Sequence, residues 1–332
     1  MLSVGSPRRR SRPLLLGVVV VLALAATLLW RPLVGDEDRV SGSVSLSTGV
    51  NGGVYAKYGQ LLRGQLANDA PNLDMALQRS VGSLENLGRL ASGEADYAIA
   101  TADSIAVYQA QGGVGADRLR ACARLYDDYI QLVVPSSSPV RATEDLRGLR
   151  VGVGQDGSGV QLVTRELLAA AGLDMDSDVV PFRDGIGDMP RMLEAGRIDA
   201  FFWSGGLPTT AVSRLSGVLD IRLVPLGDLL PALGERGPHT AYYRAAVLPP
   251  DAYPGIAGAE VVDTIAVANL LVTTEDADEA VTEQITRSVI NGRDRIGRQV
   301  HAAQRVDLLT AIYTQPLVLH NGARDYYRSV KS

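Results

Sequence analysis

Apolar and polar positions alternate along this chain in two rhythms. Short apolar or β-branched runs, VSLSTG (44–49), LDMALQ (73–78) and ADYAIAT (95–101), read as strands ending at glycine, serine or threonine. Between them the apolar positions recur at helical spacing. Tyr55, Tyr58, Leu61, Leu62 and Leu66 share one side of a helix over 54–67, and a helix over 83–92 carries Ser83 and Glu85 in its first turn, a capping arrangement. This β-α-β-α-β order predicts a mostly parallel sheet covered by helices. A second unit repeats the rhythm after Asp128. Its strands are YIQLVVP (129–135), LRVGVG (149–154), DVVPF (178–182), IDAFFW (198–203) and 220–225, with helices over 160–171 and 187–195. The long β-rich run 261–274 has the length to cross between two units, and the chain from Asp276 onward reads as helices. The pattern therefore predicts two similar α/β units, the second inserted into the first: 40–128 with 274–332, and 129–273.

The first 35 residues follow neither rhythm. Arg8, Arg9, Arg10 and Arg12 precede an uncharged, mostly apolar run from Leu14 to Trp30. That is the layout of an export signal, with Ala23-Leu24-Ala25 as a small-x-small cleavage pattern. The run is also at the lower length limit of a membrane-spanning helix, so a cleaved signal and a retained signal anchor both remain open. Either way the body is extracytoplasmic, exported, secreted or anchored to the cytoplasmic membrane by residues 14–30. No cysteine lies near positions 25–35 to carry a lipid. Cys122 is the only cysteine, so the chain has no internal disulfide and relies on a packed core. The leader holds five arginines and no acid. The net charge of the rest is therefore −5 − 5 = −10, which argues against nucleic acid or an anionic membrane surface as the main partner.

Ligands on parallel sheets bind beyond the carboxyl ends of the strands, which directs attention to 48–53, 80–86 and 101–104. Gly152, Gly154 and Gly157 fit G-x-G-x-x-G between a strand and a helix, with Asp174 near the acidic position of a dinucleotide fingerprint. Against that reading stand the mid-chain position, the export signal and the extra Ser158-Gly159, which makes a GSG turn suited to a small anion. Plain turn chemistry is the third reading. His239, His301 and His320 stand far apart, and no metal-ligand spacing or nucleophile elbow occurs. No enzyme, metal or cofactor is expected.

An ordered series of short motifs resembles one family. Thr48-Gly49 followed by Gly52-Gly53-Val54-Tyr55 resembles the glycine-rich opening of the TAXI proteins, the TRAP-associated extracytoplasmic solute-binding proteins. Val81-Gly82-Ser83-Leu84-Glu85-Asn86-Leu87, Ser92-Gly93-Glu94-Ala95-Asp96 with Asp103, Asp145-Leu146-Arg147-Gly148, Gly157-Ser158-Gly159, Gly196-Arg197-Ile198-Asp199-Ala200-Phe201-Phe202, Gly206-x-Pro208, Tyr253-x-Gly255 and Asp263-Thr264-Ile265-Ala266-Val267 continue it, from about residue 43 to about 290. The resemblance implies an α/β, two-lobed, periplasmic-binding-protein-like (type II) fold. The ligand cleft lies between the lobes and the N-terminal apolar helix precedes them. It also implies capture of a small anionic solute, an amino acid such as glutamate or a dicarboxylate or keto acid, by hinge closure and its delivery to a TRAP-type membrane permease. A membrane-anchored solute sensor is the alternative; an exported α/β enzyme and a dinucleotide-binding protein rank below it.

The ligand-binding residues this assigns are Thr48, Gly49, Asn51, Gly53 and Tyr55 in the opening loop, with Tyr55 packing on the solute's aliphatic part. Ser83 and Asn86 donate from a helix N-terminus, and Thr101, Asp103 and Ser104 follow the third strand, Asp103 facing an ammonium group. Gly157, Ser158 and Gly159 bind a carboxylate, and Trp203 and Gly206 wall the cleft. The plain alternatives are a core aromatic for Tyr55 and Trp203 and helix capping for Ser83 and Asn86. Asp199 is expected to be structural. Three positions depart from the family pattern: Ala56 replaces a second tyrosine, Thr101 stands where glutamine is usual, and Asn51 interrupts a small-residue loop.

Overall fold

The computed structural model describes residues 40–331 apart from 257 and 259; the expected leader, 1–35 with its apolar run 14–30, lies outside the described residues. Residues from Val40 onward form one compact unit. In chain order the strands are β1 (Gly42–Ser47), β2 (Leu73–Gln78), β3 (Tyr97–Thr101), β4 (Leu119–Pro135), β5 (Arg150–Gly152), β6 (Val180–Phe182), β7 (Ala200–Gly205), β8 (Ile221–Val224), β9 (Tyr243–Leu248) and β10 (Val262–Thr274). The helices are α1 (Val54–Asp69), α2 (Ser83–Ser92), α3 (Ala102–Ala110), α4 (Gly159–Ala170), α5 (Met189–Glu194), α6 (Thr210–Leu215), α7 (Leu230–Gly234), α8 (Glu279–Gly297) and α9 (Asn321–Ser329).

The strands run in the order β2-β1-β3-β10-β4-β7-β5-β6, with β8 on β4 and β9 on β10. β1 is parallel to β2 and β3, and β5 is parallel to β6 and β7. The two parallel sets are joined only by antiparallel pairs, β3 to β10, β10 to β4 and β4 to β7. Two α/β lobes thus share the long strands β4 and β10.

Each half is covered on both faces, as a parallel sheet requires. Alternate residues of one strand feed different cores, as the two-residue period dictates. Ile99 and Leu271 pack with Leu46, Tyr58, Leu62 and Ile285, while Ala98 and Leu270 pack with Leu87 and Ile105. In the other half, Phe202 and Leu132 join Val163 and Leu167, while Phe201, Trp203 and Val133 join Met189 and Tyr253. Cys122 is fully buried in the first core. Among the described residues no helix is long and apolar enough to cross a membrane.

α3, α6, α7 and β9 have no counterpart in the reading of the pattern, and two further features differ from it. β4 begins at Leu119, ten residues before the apolar run that announces it, so Asp128 sits inside a continuous strand. Its first half carries Arg120, Arg124, Asp127 and Asp128, which break the apolar pattern; the arginines turn outward to pair with Glu275 and Asp127. β3 also runs straight into α3, so 101–104 is a strand end and a helical first turn, with no loop between.

Asp199 closes the turn before β7. Its two oxygens accept from the Arg150 backbone N–H, Nε and Nη2 at 2.6–3.0 Å, tying β5 to β7 from outside. Asn86 does the same inside the first half. Its amide donates to the Thr48 and Ile99 carbonyls at 2.6 and 2.7 Å, and its Oδ1 accepts from Ser47 Oγ at 2.7 Å. Asn86→Ala removes three buried hydrogen bonds at once, leaving the Thr48 carbonyl only the Ser80 hydroxyl, so it should destabilise the protein by about 2–3 kcal/mol in denaturant unfolding. Solute affinity of the folded protein should not change.

Candidate functional site

A cavity of about 60 Å³ lies where the two sheet halves face each other, beside the crossing strands. The first half lines it with Gly49, Gly53, Tyr55, Gly82, Ser83 and Thr101, the second with Gly154, Ser158, Gly159, Asp184 and Trp203, and the β4–β7 pair with Asp128 and Ser204. The strand ends at Ser47 and Thr101 and the loop after Gly152 all open there, which is why polar and glycine positions cluster after those strands.

The halves touch at two helix N-termini. Gly82 precedes α2 with φ +142°, a conformation that disfavours any side chain, and a Cβ there would lie 3.4 Å from Ser158. A Cβ on Gly159, the first residue of α4, would come within 3.1–3.4 Å of the hydroxyls of Ser83, Thr101 and Ser104. Glycine at both places lets one helix end approach the other.

The two ends differ electrostatically. At α2 the Glu85 carboxylate accepts from the Val81 N–H at 2.7 Å and pairs with Arg89, so its positive pole is already answered. α4 has no acid in its first turn. The Ser158 hydroxyl caps it, accepting from the Gln161 N–H at 3.1 Å and donating to the Gln155 carbonyl at 2.7 Å. The amides of Gly159 and Val160, which precede the first internal helix bonds, belong to residues that line the cavity. This is the end suited to a carboxylate.

The cavity floor is a polar cluster on the crossing strands. The Tyr55 hydroxyl donates to Asn269 Oδ1 at 2.5 Å and lies 3.1 Å from Ser83 Oγ. The Ser204 hydroxyl donates to Asp128 Oδ2 at 3.2 Å. Asp128 Oδ1 and Asn269 Nδ2 are buried without hydrogen-bond partners. Burial pushes the Asp128 carboxyl up to about 7, with Asn269 and Ser204 pulling the other way and Asp127 and Asp103 adding to the rise. Burial, then the nearby Asp128 charge, also raises the Tyr55 phenol well above its ordinary value.

Of the residues the sequence assigns to the ligand, Gly49, Gly53, Tyr55, Ser83, Thr101, Ser158, Gly159 and Trp203 meet around this cavity. The other seven do not line it. Thr48 is buried and its hydroxyl donates to the Gln78 carbonyl. Asn86 is spent on the bracket described above. Asp103 is corrected in the same way: buried on the first turn of α3, it accepts from Tyr243 Oη at 2.7 Å and from the Ser104 N–H, joining α3 to β9, with no face open to an ammonium group. Ser104 is fully buried and accepts from the Thr101 hydroxyl at 2.8 Å. Asn51 is exposed and lines an outer groove with Lys57 and Arg191. Gly157 turns the loop at φ +79°, and Gly206 packs against the Ala302 and Val54 side chains. The Trp203 indole N–H donates to Thr209 Oγ1 at 3.0 Å. Asp174, the acid a dinucleotide fingerprint would need, accepts from Asp176 and Ser177 in a local turn.

The sequence reading passes over Asp128, Ser204 and Asn269. Two adjacent acids in an otherwise apolar strand, DD at 127–128, are the one signal present; Arg124 and Arg244 pair with Asp127 and leave Asp128 alone. Native Asp128 holds its proton to a higher pH than an unfolded aspartate does. The folded state therefore binds the extra proton between about pH 4 and 7, and stability falls as pH rises through that window. Asp128→Asn removes this loss. The variant should melt a few degrees above the parent at pH 8 and no higher at pH 4, read by thermal denaturation across pH.

Among solved structures, a Bordetella bronchiseptica RB50 protein matches with TM-score 0.55 at 17% identity, over 87% of this chain and 98% of that one. A structure described as a periplasmic transporter matches with TM-score 0.53 at 13% identity, over 87% and 92%. A putative L-cystine ABC transporter from Listeria monocytogenes matches with TM-score 0.51 at 13% identity, over 80% and 98%. At such identities these likenesses concern the fold, which is the two-lobed, periplasmic-binding-protein-like one. The family model of the NMT1-like family matches residues 46–330, nearly the whole of the described chain, and the chain belongs to the NMT1-like family.

Proposed function

We propose that this chain is an extracytoplasmic solute-binding receptor that closes on a small carboxylate-bearing solute and delivers it to a membrane transporter. The observation that carries the reading is the pair of helix N-termini meeting over a small cavity, with no acid in the first turn of α4. A carboxylate held there gains two amides and the favourable end of the helix dipole, and the floor of the cavity is the pair of strands on which the lobes turn.

In this reading the first lobe comprises 40–128 with 274–332 and the second 129–273, and Gly49, Gly53, Tyr55, Ser83, Thr101, Ser158, Gly159 and Trp203 contact the solute. Residues 1–35 act as an export signal or anchor. The ordered motifs shared with the TAXI proteins support a TRAP-type permease as the transporter. In this reading the buried acids and tyrosines at the floor serve recognition.

The test is a titration of the purified full chain with amino acids, dicarboxylates and keto acids, followed by calorimetry and by the fluorescence of Trp203, one of two tryptophans in the chain. One small carboxylate should saturate the protein and, at about one hundred times its dissociation constant, stabilise it by about 2.7 kcal/mol. No binding by any of them, with binding of a nicotinamide dinucleotide instead, would sink the receptor reading. A second measurement addresses closure. Gly159→Val drives a branched side chain into the Ser83, Thr101 and Ser104 hydroxyls. It should weaken solute binding at least tenfold and leave the solute-saturated protein with a larger radius of gyration than the parent in X-ray scattering.

A further inference from the structure

The side chains around the cavity carry two carboxylates, Asp128 and Asp184, and no arginine, lysine or histidine. A simple dianion would find one favourable pole, the N-terminus of α4, and two acids in the same lining. Asp128 is 4% exposed, and its Oδ1 has no partner although it borders the cavity. A buried carboxylate oxygen left unpaired is costly, and a group that arrives with the ligand relieves the cost.

No cationic side chain of the protein supplies that group. On β4 itself Asp127 is held by Arg124 and Arg244, and Tyr126 is a buried phenol. α1 presents Tyr55, whose hydroxyl is committed to Asn269. β7 presents Ser204, which donates to the other oxygen, Oδ2. β10 presents Asn269, whose amide acts on Asp128 as a neutral donor and leaves its charge unpaired, and α3 presents Asp103, itself held by Tyr243. No cation faces Asp128 from any of these elements.

We propose that Asp128 is the specificity-determining residue of the cleft and reads a primary ammonium group on the solute, so that the ligand is a zwitterion with its carboxylate at the N-terminus of α4. The inference rests on the receptor reading of the cleft and narrows it, excluding dicarboxylates and keto acids as the preferred solutes. Ser204 is a positioning residue, since its hydroxyl occupies Oδ2 and leaves Oδ1 for the ligand. The direction of the pH effect follows. Below about pH 7 the empty site holds a neutral acid, and an ammonium group gains an ion pair only once that proton leaves. Affinity should therefore rise by about 30-fold between pH 5.5 and pH 8.

The experiment pairs each L-amino acid with its 2-oxo acid, which has the same carbon skeleton and carboxylates without the ammonium group. Alanine is set against pyruvate and glutamate against 2-oxoglutarate, with succinate added. Binding to the full chain is measured by calorimetry at pH 5.5 and 8, for the parent, Asp128→Asn and Ser204→Ala. At least one amino acid should bind at least 30-fold more tightly than its oxo acid at pH 8. That ratio and the pH dependence should collapse in Asp128→Asn, while Ser204→Ala should reduce the ratio only a few-fold. Asp128→Asn keeps the shape of the side chain and removes a buried charge, so the variant folds. An oxo acid or succinate that binds as tightly as any amino acid, or an Asp128→Asn variant that keeps the preference, overturns the inference and leaves the receptor reading intact. If none of these probes binds the parent, both fall.

Discussion

The antiparallel pairing of β4 with β10 is the constraint on which the molecule depends. The register runs from Ala266 opposite Tyr129 to Thr274 opposite Leu119 and slips twice, so that Leu125 and Cys122 of β4 are extra residues without opposite numbers. Such bulges bend a strand and increase its local twist. The first falls beside Asn269 and Tyr126 and the second at Cys122, between Leu271 and Val272. The same two strands carry Asp128 and Asn269, so the element that joins the halves also lines the space between them.

The cavity owes its chemistry to an asymmetry between two similar helix ends. α2 and α4 both start after a strand, with glycine at the point of contact. Only α2 carries a first-turn acid, and only α4 therefore offers an unbalanced positive pole. In the lining of the same cavity, on β4, sits a carboxylate that burial forces toward its neutral form. A site with one pole built from backbone and the other from a titratable side chain distinguishes molecules by the distribution of their charge more than by its sum.

Much of this was legible in the sequence, because the apolar periodicity that builds strands and helices is local. β1 to β3, α1, α2, α4 and the long crossing strand β10 fall where the pattern puts them, within a few residues. The first half of β4 did not show because its arginines and Asp127 are paired across the sheet surface, and periodicity counts them as breaks. At the site, glycines read well, since a positive φ or a close approach leaves a trace in residue type. Side-chain roles read poorly. Asn86, Asp103 and Thr48 sit at loop and helix ends, as ligand-binding residues would, yet each turns inward to satisfy buried backbone or a tyrosine. Asp128 escaped notice because its importance comes from lacking a partner, and partners across a sheet cannot be seen along a chain.

The order of strands has a consequence for how such a chain comes into being. The core beneath β1 includes Leu46, Tyr58 and Leu62 from one end of the chain and Leu271, Ile285, Val289 and Tyr326 from the other. A polypeptide emerging N-terminus first cannot finish that core until its last sixty residues have appeared, because β10 must slot between β3 and β4. Until then the leading half lacks the strand that would lock it, and its apolar faces wait for partners from the far end of the chain.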